Sequence, residues 1–148
     1  MMEYIVLAAT AWLLGFVPYF EIYLAVPATM AMGLDPVSSV FWAGLGNFFA
    51  VPVILFARKQ LSHIPRVNRW LEKLTNTKYH ETVNKFGNSF VLLFTPVTGI
   101  WITAALASTF GVTESRLLIT SALSVLLYGS LMAVATSTGL ELISIVGL

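Results

Sequence analysis

The stretch Pro18-Tyr-Phe-Glu-Ile-Tyr-Leu-Ala-Val-Pro-Ala-Thr-Met-Ala-Met-Gly33 decides the fold class of this chain. It is almost wholly apolar, yet it contains the carboxylate of Glu21 and two prolines. Proline removes a helical hydrogen bond, and lipid cannot satisfy the backbone groups that a broken helix leaves free. The stretch therefore predicts a re-entrant helical hairpin, buried in protein, in place of a straight membrane-spanning helix.

Composition places the rest of the chain in a membrane as well. Of its 148 residues, 57% are hydrophobic and 10% are charged. In soluble domains, roughly a quarter of all residues are charged. We therefore expect one integral membrane domain over residues 1–148, located in the cell membrane. The first half, 1–57, would hold a helix over Tyr4–Val17, the hairpin, and a spanning helix from Pro36 to Ala57 that Asp35 caps.

A basic segment at residues 58–88 separates the two halves. It holds seven of the eight Lys and Arg residues, which predicts a cytoplasmic loop. Four apolar residues within it follow the spacing of one helix face, and they predict an interfacial helix with a basic face toward lipid headgroups. These residues are Val67, Trp70, Leu71 and Leu74. The alternative for this segment is a solvated connector with one helical turn.

The second half, 89–148, resembles the first. Its apolar run from Phe90 to Phe110 is interrupted at Thr95–Gly99, and Thr113 precedes a spanning helix over Ser115–Thr136. Both interruptions contain Pro-x-Thr, at 27–29 and at 96–98. Matching breaks in two halves are typical of inverted-repeat transporters. The alternative is a chance similarity between two helices rich in small residues.

These patterns predict an all-α integral membrane protein. It would have three spanning helices, two re-entrant hairpins of opposite orientation and a cytoplasmic interfacial helix. The amino terminus would be cytoplasmic and the carboxyl terminus outside. The alternative is four plain spanning helices.

Glu21 is the principal candidate for chemistry. A carboxylate inside an apolar stretch is costly unless it is protonated or paired, which predicts a proton-binding or cation-binding group. The alternative is a surface carboxylate that ends the first helix. Asn47, beside Gly44 and Gly46, can satisfy backbone groups of a broken hairpin or contact a substrate. Trp101 can stack on a cationic group or act as an ordinary interface residue.

Other chemistries have no sequence support. The absence of cysteine excludes disulfides, thiolate metal sites and cysteine nucleophiles. His63 and His80 lie singly in the polar segment, without the ligand spacing of a metal site, and no phosphate-binding glycine loop is present. We therefore expect no enzyme activity, no metal, no cofactor and no nucleic-acid partner.

Two motifs resemble those of a known family. Glu21-Ile-Tyr-Leu-Ala-Val-Pro27 is similar to the Glu-Leu-Arg-Gly-Ala-Ile-Pro motif of the small multidrug export protein family. Pro96-Val-Thr-Gly-Ile-Trp-Ile-Thr-Ala104 resembles that family's Pro-Gly-Thr-Gly-Ala-Trp-Thr-Gly-Ala motif. The resemblance implies a distant relationship to the DedA/VTT membrane proteins and two re-entrant hairpins that meet near the midplane. It also implies functional roles for Glu21, Pro27, Pro96, Thr98, Gly99 and Trp101.

The chain departs from the first motif at Tyr23, where the family has arginine, and at Leu24, where it has glycine. It departs from the second at Val97, which replaces a glycine. The loss of this arginine removes the charge partner that the family offers Glu21, so Glu21 is either protonated at rest or less able to couple protons. The mechanism is affected more than the fold.

We expect a secondary transporter of an amphipathic solute or lipid carrier, coupled to protons through Glu21. Pro27, Thr29, Asn47 and the turn Pro96–Trp101 would form the hairpin tips or the solute site. Membrane lipids and a second copy of the chain, in a homodimer, are the expected partners. The alternative is a non-transporting partner subunit that organises lipids or another membrane protein. A channel is less well supported, because no ring of charge or filter motif is present.

Overall fold

All regular structure in the described part of the chain is α-helical. The computed structural model describes residues 2–61, 63–64 and 79–146, with side chains described up to residue 64 and from 87 to 139. Five helices follow one another: α1 (Met2–Phe16), α2 (Glu21–Ala31), α3 (Pro36–Leu61), α4 (Tyr79–Thr109) and α5 (Glu114–Val146). They form two compact units, Met1–Phe48 with Val125–Leu148, and Phe49–Ser124. The all-α prediction is confirmed.

Three helical stretches are long and apolar enough to cross a membrane: Pro36–Leu61, Gly87–Thr109 and Glu114–Gly139. The number agrees with the predicted three spanning helices, but the three stretches are not the same ones. The first predicted span corresponds to α1, which has 15 residues and is therefore about 22 Å long. A typical hydrocarbon core is about 30 Å thick, so α1 alone is too short to cross it.

The start of α3 is capped as predicted. The backbone N–H of Ser38 donates to Asp35 Oδ1 at 2.9 Å, which is the N-cap arrangement. Hydrogen bonds from the side chain and the backbone N–H of Ser38 hold the pKa of the Asp35 carboxyl below its usual value. The helix continues past Ala57 to Leu61, so that Arg58 and Lys59 lie in its last turn, where positive charge is favourable.

In the first unit, α1 and α3 begin at the same level. Tyr4 in the first turn of α1 accepts a hydrogen bond from Trp42 Nε1 at 3.1 Å, and its hydroxyl is 3.2 Å from Ser38 Oγ. Further along, Trp12 of α1 lies beside Gly46 of α3. The two helices therefore run parallel, since positions 4 and 12 lie beside positions 38 and 46.

Parallel packing of α1 and α3 means that α1 and α2 together form a hairpin. The chain runs along α1, turns at residues 17–20, and returns along α2 to the level at which it started. The sequence placed the hairpin within Pro18–Gly33, preceded by a spanning helix. The structure corrects this prediction, because α1 is the first arm of the hairpin and the turn lies before Glu21.

The backbones of α1 and α3 are in direct contact. A Cβ atom added at Gly46 would lie 2.0 Å from the carbonyl oxygen of Trp12, and one at Gly15 would lie 2.0 Å from that of Ala43. Only glycine permits so close an approach at these positions. Small residues of α3 therefore admit another backbone, as the sequence predicted.

The second unit contains a hairpin within α4. Gly99 interrupts the helix with φ 82 and ψ 164. A straight helix over residues 87–109 would be roughly 33 Å long. However, a Cβ atom at Gly87 would lie 3.0 Å from a methyl group of Val112, so the chain folds back at Gly99. The sequence predicted this break correctly, and residues 87–98 and 100–109 are its two arms.

The two hairpins end in the same way, 78 residues apart in the sequence. Gly33 and Gly111 both have positive φ, at 100° and 87°. The next residue in each case donates its N–H to a carbonyl five residues earlier, from Leu34 to Thr29 and from Val112 to Ala107, both at 3.0 Å. This is a glycine-terminated helix end. The next helix begins three residues after each glycine, at Pro36 and Glu114.

The same spacing relates the starts of the second arms. Glu21 and Gly99 both have positive φ, at 44° and 82°. The repeat therefore pairs Pro18 with Pro96, and not the Pro-x-Thr segments that the sequence analysis matched. No break occurs at Pro27, which lies inside the continuous helix α2.

Helices extend into the segment 58–88 from both ends, to Leu61 and from Tyr79. The predicted interfacial helix, with Val67, Trp70, Leu71 and Leu74, lies outside the described residues.

Candidate functional site

Glu21 is buried at the tip of the first hairpin. It is the first residue of α2, only 7% of its surface is exposed, and its φ is 44°. Residues other than glycine rarely adopt a left-handed backbone conformation, and such backbone strain is concentrated at functional sites. Its burial does not fit the alternative of a surface carboxylate.

Asn47 holds the end of the first arm. Its Nδ2 donates to the carbonyl of Gly15 at 3.0 Å, although the two residues are far apart in sequence. Gly15 is in the last turn of α1, where carbonyls lack partners within the helix. The sequence predicted such a role for this amide. The other half of the group, Asn47 Oδ1, is buried without a hydrogen-bond partner.

Tyr23 is a polar residue of this site that the sequence analysis treated only as a departure from the family motif. Its ring packs against that of Tyr128 of α5, with ring centroids 6.1 Å apart. Its hydroxyl is buried without a hydrogen-bond partner, and Glu21 lies within electrostatic range of it. The family's arginine at this position is the signal that could have identified Tyr23.

Pro27 and Thr29 have structural contacts within α2. Thr29 is fully buried, and its hydroxyl donates to the carbonyl of Ala25 at 2.7 Å. Pro27 has no N–H, so the carbonyl of Tyr23 loses its helical partner. Neither residue lies at the tip of the hairpin.

The tip of the second hairpin is closed by hydroxyl groups. Thr98 donates to the carbonyl of Phe94 at 3.1 Å, and its oxygen is 2.9 Å from that of Thr103 across the break at Gly99. Thr103 is fully buried. Trp101 is half-buried, and Pro96 is exposed inside α4. The structure therefore brings Thr98 and Gly99 together with the hydroxyl of Thr103.

The candidate residues divide between the two units. Glu21, Pro27, Thr29 and Asn47 belong to the first, and Pro96, Thr98, Gly99 and Trp101 belong to the second. Within the described residues, no group of three His, Cys, Asp or Glu side chains could hold a metal ion.

Three helical stretches that are long and apolar enough to cross a membrane define a helical membrane protein. A family model described as "Putative small multi-drug export protein" matches residues 21–131, most of the chain. The chain belongs to this small multidrug export family. Comparisons with curated proteins and with solved structures gave no match.

Proposed function

We propose that this protein is a secondary membrane transporter of an amphipathic solute or a lipid carrier, coupled to protons through Glu21. The observation that carries the proposal is a buried carboxylate at the tip of one of two matching hairpins. Broken helices in matching places form the substrate and ion sites of many secondary transporters. The family description, which names export, is consistent with this function.

In the proposed topology, α3 and α5 span the membrane and the two hairpins are re-entrant. Arg58 and Lys59 in the last turn of α3 support a cytoplasmic end for that helix. Since α1 and α3 begin at the same level, the amino terminus then lies on the non-cytoplasmic side. This revises the cytoplasmic amino terminus that the sequence predicted. The basic segment 58–88 supports entry of the second hairpin from the cytoplasmic side, opposite to the first hairpin. The proposed DedA relationship implies the same arrangement.

The second hairpin would contribute to solute recognition. The hydroxyls of Thr98 and Thr103 bond to one another and can exchange that bond for one to a solute. Trp101, two residues beyond the break, offers an aromatic face to an apolar or cationic group. A chain of 148 residues provides few walls for a solute pathway, so we propose a homodimer as the working unit.

The coupling role of Glu21 is tested by Glu21→Gln, which keeps the size of the side chain but removes its titration. We expect gradient-driven movement by the wild type in liposomes with an imposed pH gradient, and its loss in the variant. The measured solutes are a lipophilic cation and a fluorescent polyprenyl phosphate. Glu3→Gln is the matched control, because Glu3 is exposed near the start of α1 and should be dispensable.

Movement that survives in Glu21→Gln would contradict coupling through this carboxylate. No movement of either solute by folded, inserted wild-type protein would contradict transport of both solute classes. A constant co-purifying partner would then favour the partner-subunit alternative.

A further inference from the structure

We propose that the tip of the first hairpin binds a sodium ion through the carboxylate of Glu21, the amide oxygen of Asn47 and the phenol oxygen of Tyr23. The inference rests on the proposed function in taking Glu21 as the cation-binding group. It goes further by naming a metal cation, two additional oxygen ligands and a competition between sodium and protons.

The backbone brings Asn47 and Glu21 to the same turn. Asn47 Nδ2 binds the carbonyl oxygen of Gly15, and the N–H of Glu21 binds that of Val17, at 3.0 and 3.3 Å. The two carbonyls are only two residues apart at the end of α1. The amide of Asn47 and the first residue of α2 therefore both bind the same turn of backbone at the end of α1.

Two oxygens in this region have no hydrogen-bond partner. Among the described side chains, four buried polar atoms are unpaired, and two of them are Asn47 Oδ1 and Tyr23 Oη. Asn47 is fully buried, so bulk water cannot supply its missing partner. An unpaired buried acceptor costs free energy, and native proteins satisfy such groups with a ligand, an ion or an ordered water.

The charge and the donor atoms favour sodium. All three proposed ligands are oxygens, which hard cations prefer. One carboxylate neutralises one positive charge, whereas a divalent ion would leave an uncompensated charge in a low-dielectric site. Among the described residues, no group of three His, Cys, Asp or Glu side chains gathers around Glu21 as a carboxylate-rich divalent site would require. A monovalent metal cation is therefore the occupant that balances charge and uses the unpaired oxygens.

Sodium and protons would compete for the same carboxylate. Sodium needs the ionised form of Glu21, and protonation neutralises that charge. We therefore expect sodium affinity to fall as the pH is lowered. Glu21→Gln, which imitates the protonated form, should abolish binding altogether.

The test is radioactive sodium binding to the purified full-length protein in lipid nanodiscs, with choline as the replacement cation. Tyr23→Phe removes only the phenol oxygen and retains the aromatic ring. We expect it to weaken sodium affinity about tenfold, in line with the loss of one contact to a charged group. Tyr128→Phe is the matched control, since it makes the same change on the other ring of the pair and should leave sodium affinity unchanged.

Absence of saturable sodium binding in the wild type would overturn the inference. It would indicate that only water hydrogen-bonds to these oxygens. Equal sodium affinity in the wild type and in correctly folded Tyr23→Phe would overturn the role of the phenol. If Tyr23→Phe fails to fold, the pH dependence of wild-type binding decides, and binding that does not weaken in acid overturns the proposal.

The binding result is separable from transport. Proton-driven solute movement without sodium binding would overturn this inference and leave the proposed function intact. Sodium binding without movement of either solute would support the site and contradict the proposed transport.

Discussion

Gly46→Ala is expected to destabilise the protein strongly. Among the described helical glycines, only Gly15 should be as sensitive to the same substitution. The added methyl group would lie 2.0 Å from the carbonyl oxygen of Trp12 and 3.1 Å from the backbone nitrogen of Phe16. Neither atom belongs to a side chain that can rotate away, so α1 and α3 must separate. We expect a loss of at least about 3 kcal/mol in the free energy of unfolding, the upper end for overpacking.

The matched control is Gly44→Ala, two residues earlier in the same helix. There the new methyl group would meet a side-chain methyl of Val125 at 3.2 Å, and that side chain can adjust. Alanine also favours helix over glycine by up to about 1 kcal/mol, so stability should change little or rise. Unfolding monitored by circular dichroism in detergent measures both variants. Equal stabilities would contradict the backbone contact between α1 and α3.

Gly99→Ala is expected to have the second largest effect. With φ 82 and ψ 164, Gly99 adopts a conformation that is essentially restricted to glycine. Alanine there should cost about 1 to 3 kcal/mol of stability. Because Gly99 is the reversal point of the second hairpin, relief of the strain would move its two arms apart and disrupt the hydroxyl pair of Thr98 and Thr103.

Gly139→Ala provides the comparison for this prediction. Gly139 lies inside α5, with no atom within 4 Å of the position that a Cβ would occupy. The substitution should stabilise the helix slightly, by up to about 1 kcal/mol. Thermal unfolding followed by tryptophan fluorescence measures both variants. Unchanged stability in Gly99→Ala would mean that a continuous helix can replace the hairpin.

Local signals in the sequence predicted where one helix begins and where another breaks. Asp35 before Pro36 gave the start of α3, and Gly99 gave the break in α4, because caps and breaks depend on a few neighbouring residues. The matching interruptions in the two halves also indicated a repeat. The extent of the first hairpin was not predictable, since an apolar arm and an apolar span have the same composition.

The two prolines of the first half show the limit of a local signal. Pro18 lies in the turn between α1 and α2, whereas Pro27 lies within an unbroken helix. Both remove one hydrogen bond, and packing of the surrounding elements decides which bond can be lost. The Pro-x-Thr pattern therefore paired Pro27 with Pro96, whereas the backbone geometry pairs Pro18 with Pro96.

The candidate site was predictable to a similar degree. Glu21 was identified because a carboxylate in an apolar stretch is unusual, and Asn47 because it lies among glycines. Tyr23 itself is not unusual, since a tyrosine is common in a membrane helix, and only the family's arginine at that position marked it. Its place beside Tyr128 depends on the packing of two distant helices, which spacing along the sequence does not reveal.

In the proposed topology, α1 and α2 form a hairpin that leaves the membrane on the side where it entered. The measurement that tests this is labelling of single cysteines by an impermeant maleimide, from each side of the membrane in turn. The chain has no native cysteine. The variants Glu3→Cys, Met32→Cys and Lys59→Cys all place the label at exposed positions. We predict that Glu3→Cys and Met32→Cys react from one side and Lys59→Cys from the other. Labelling of Glu3→Cys and Met32→Cys from opposite sides would contradict the hairpin and support a plain spanning helix.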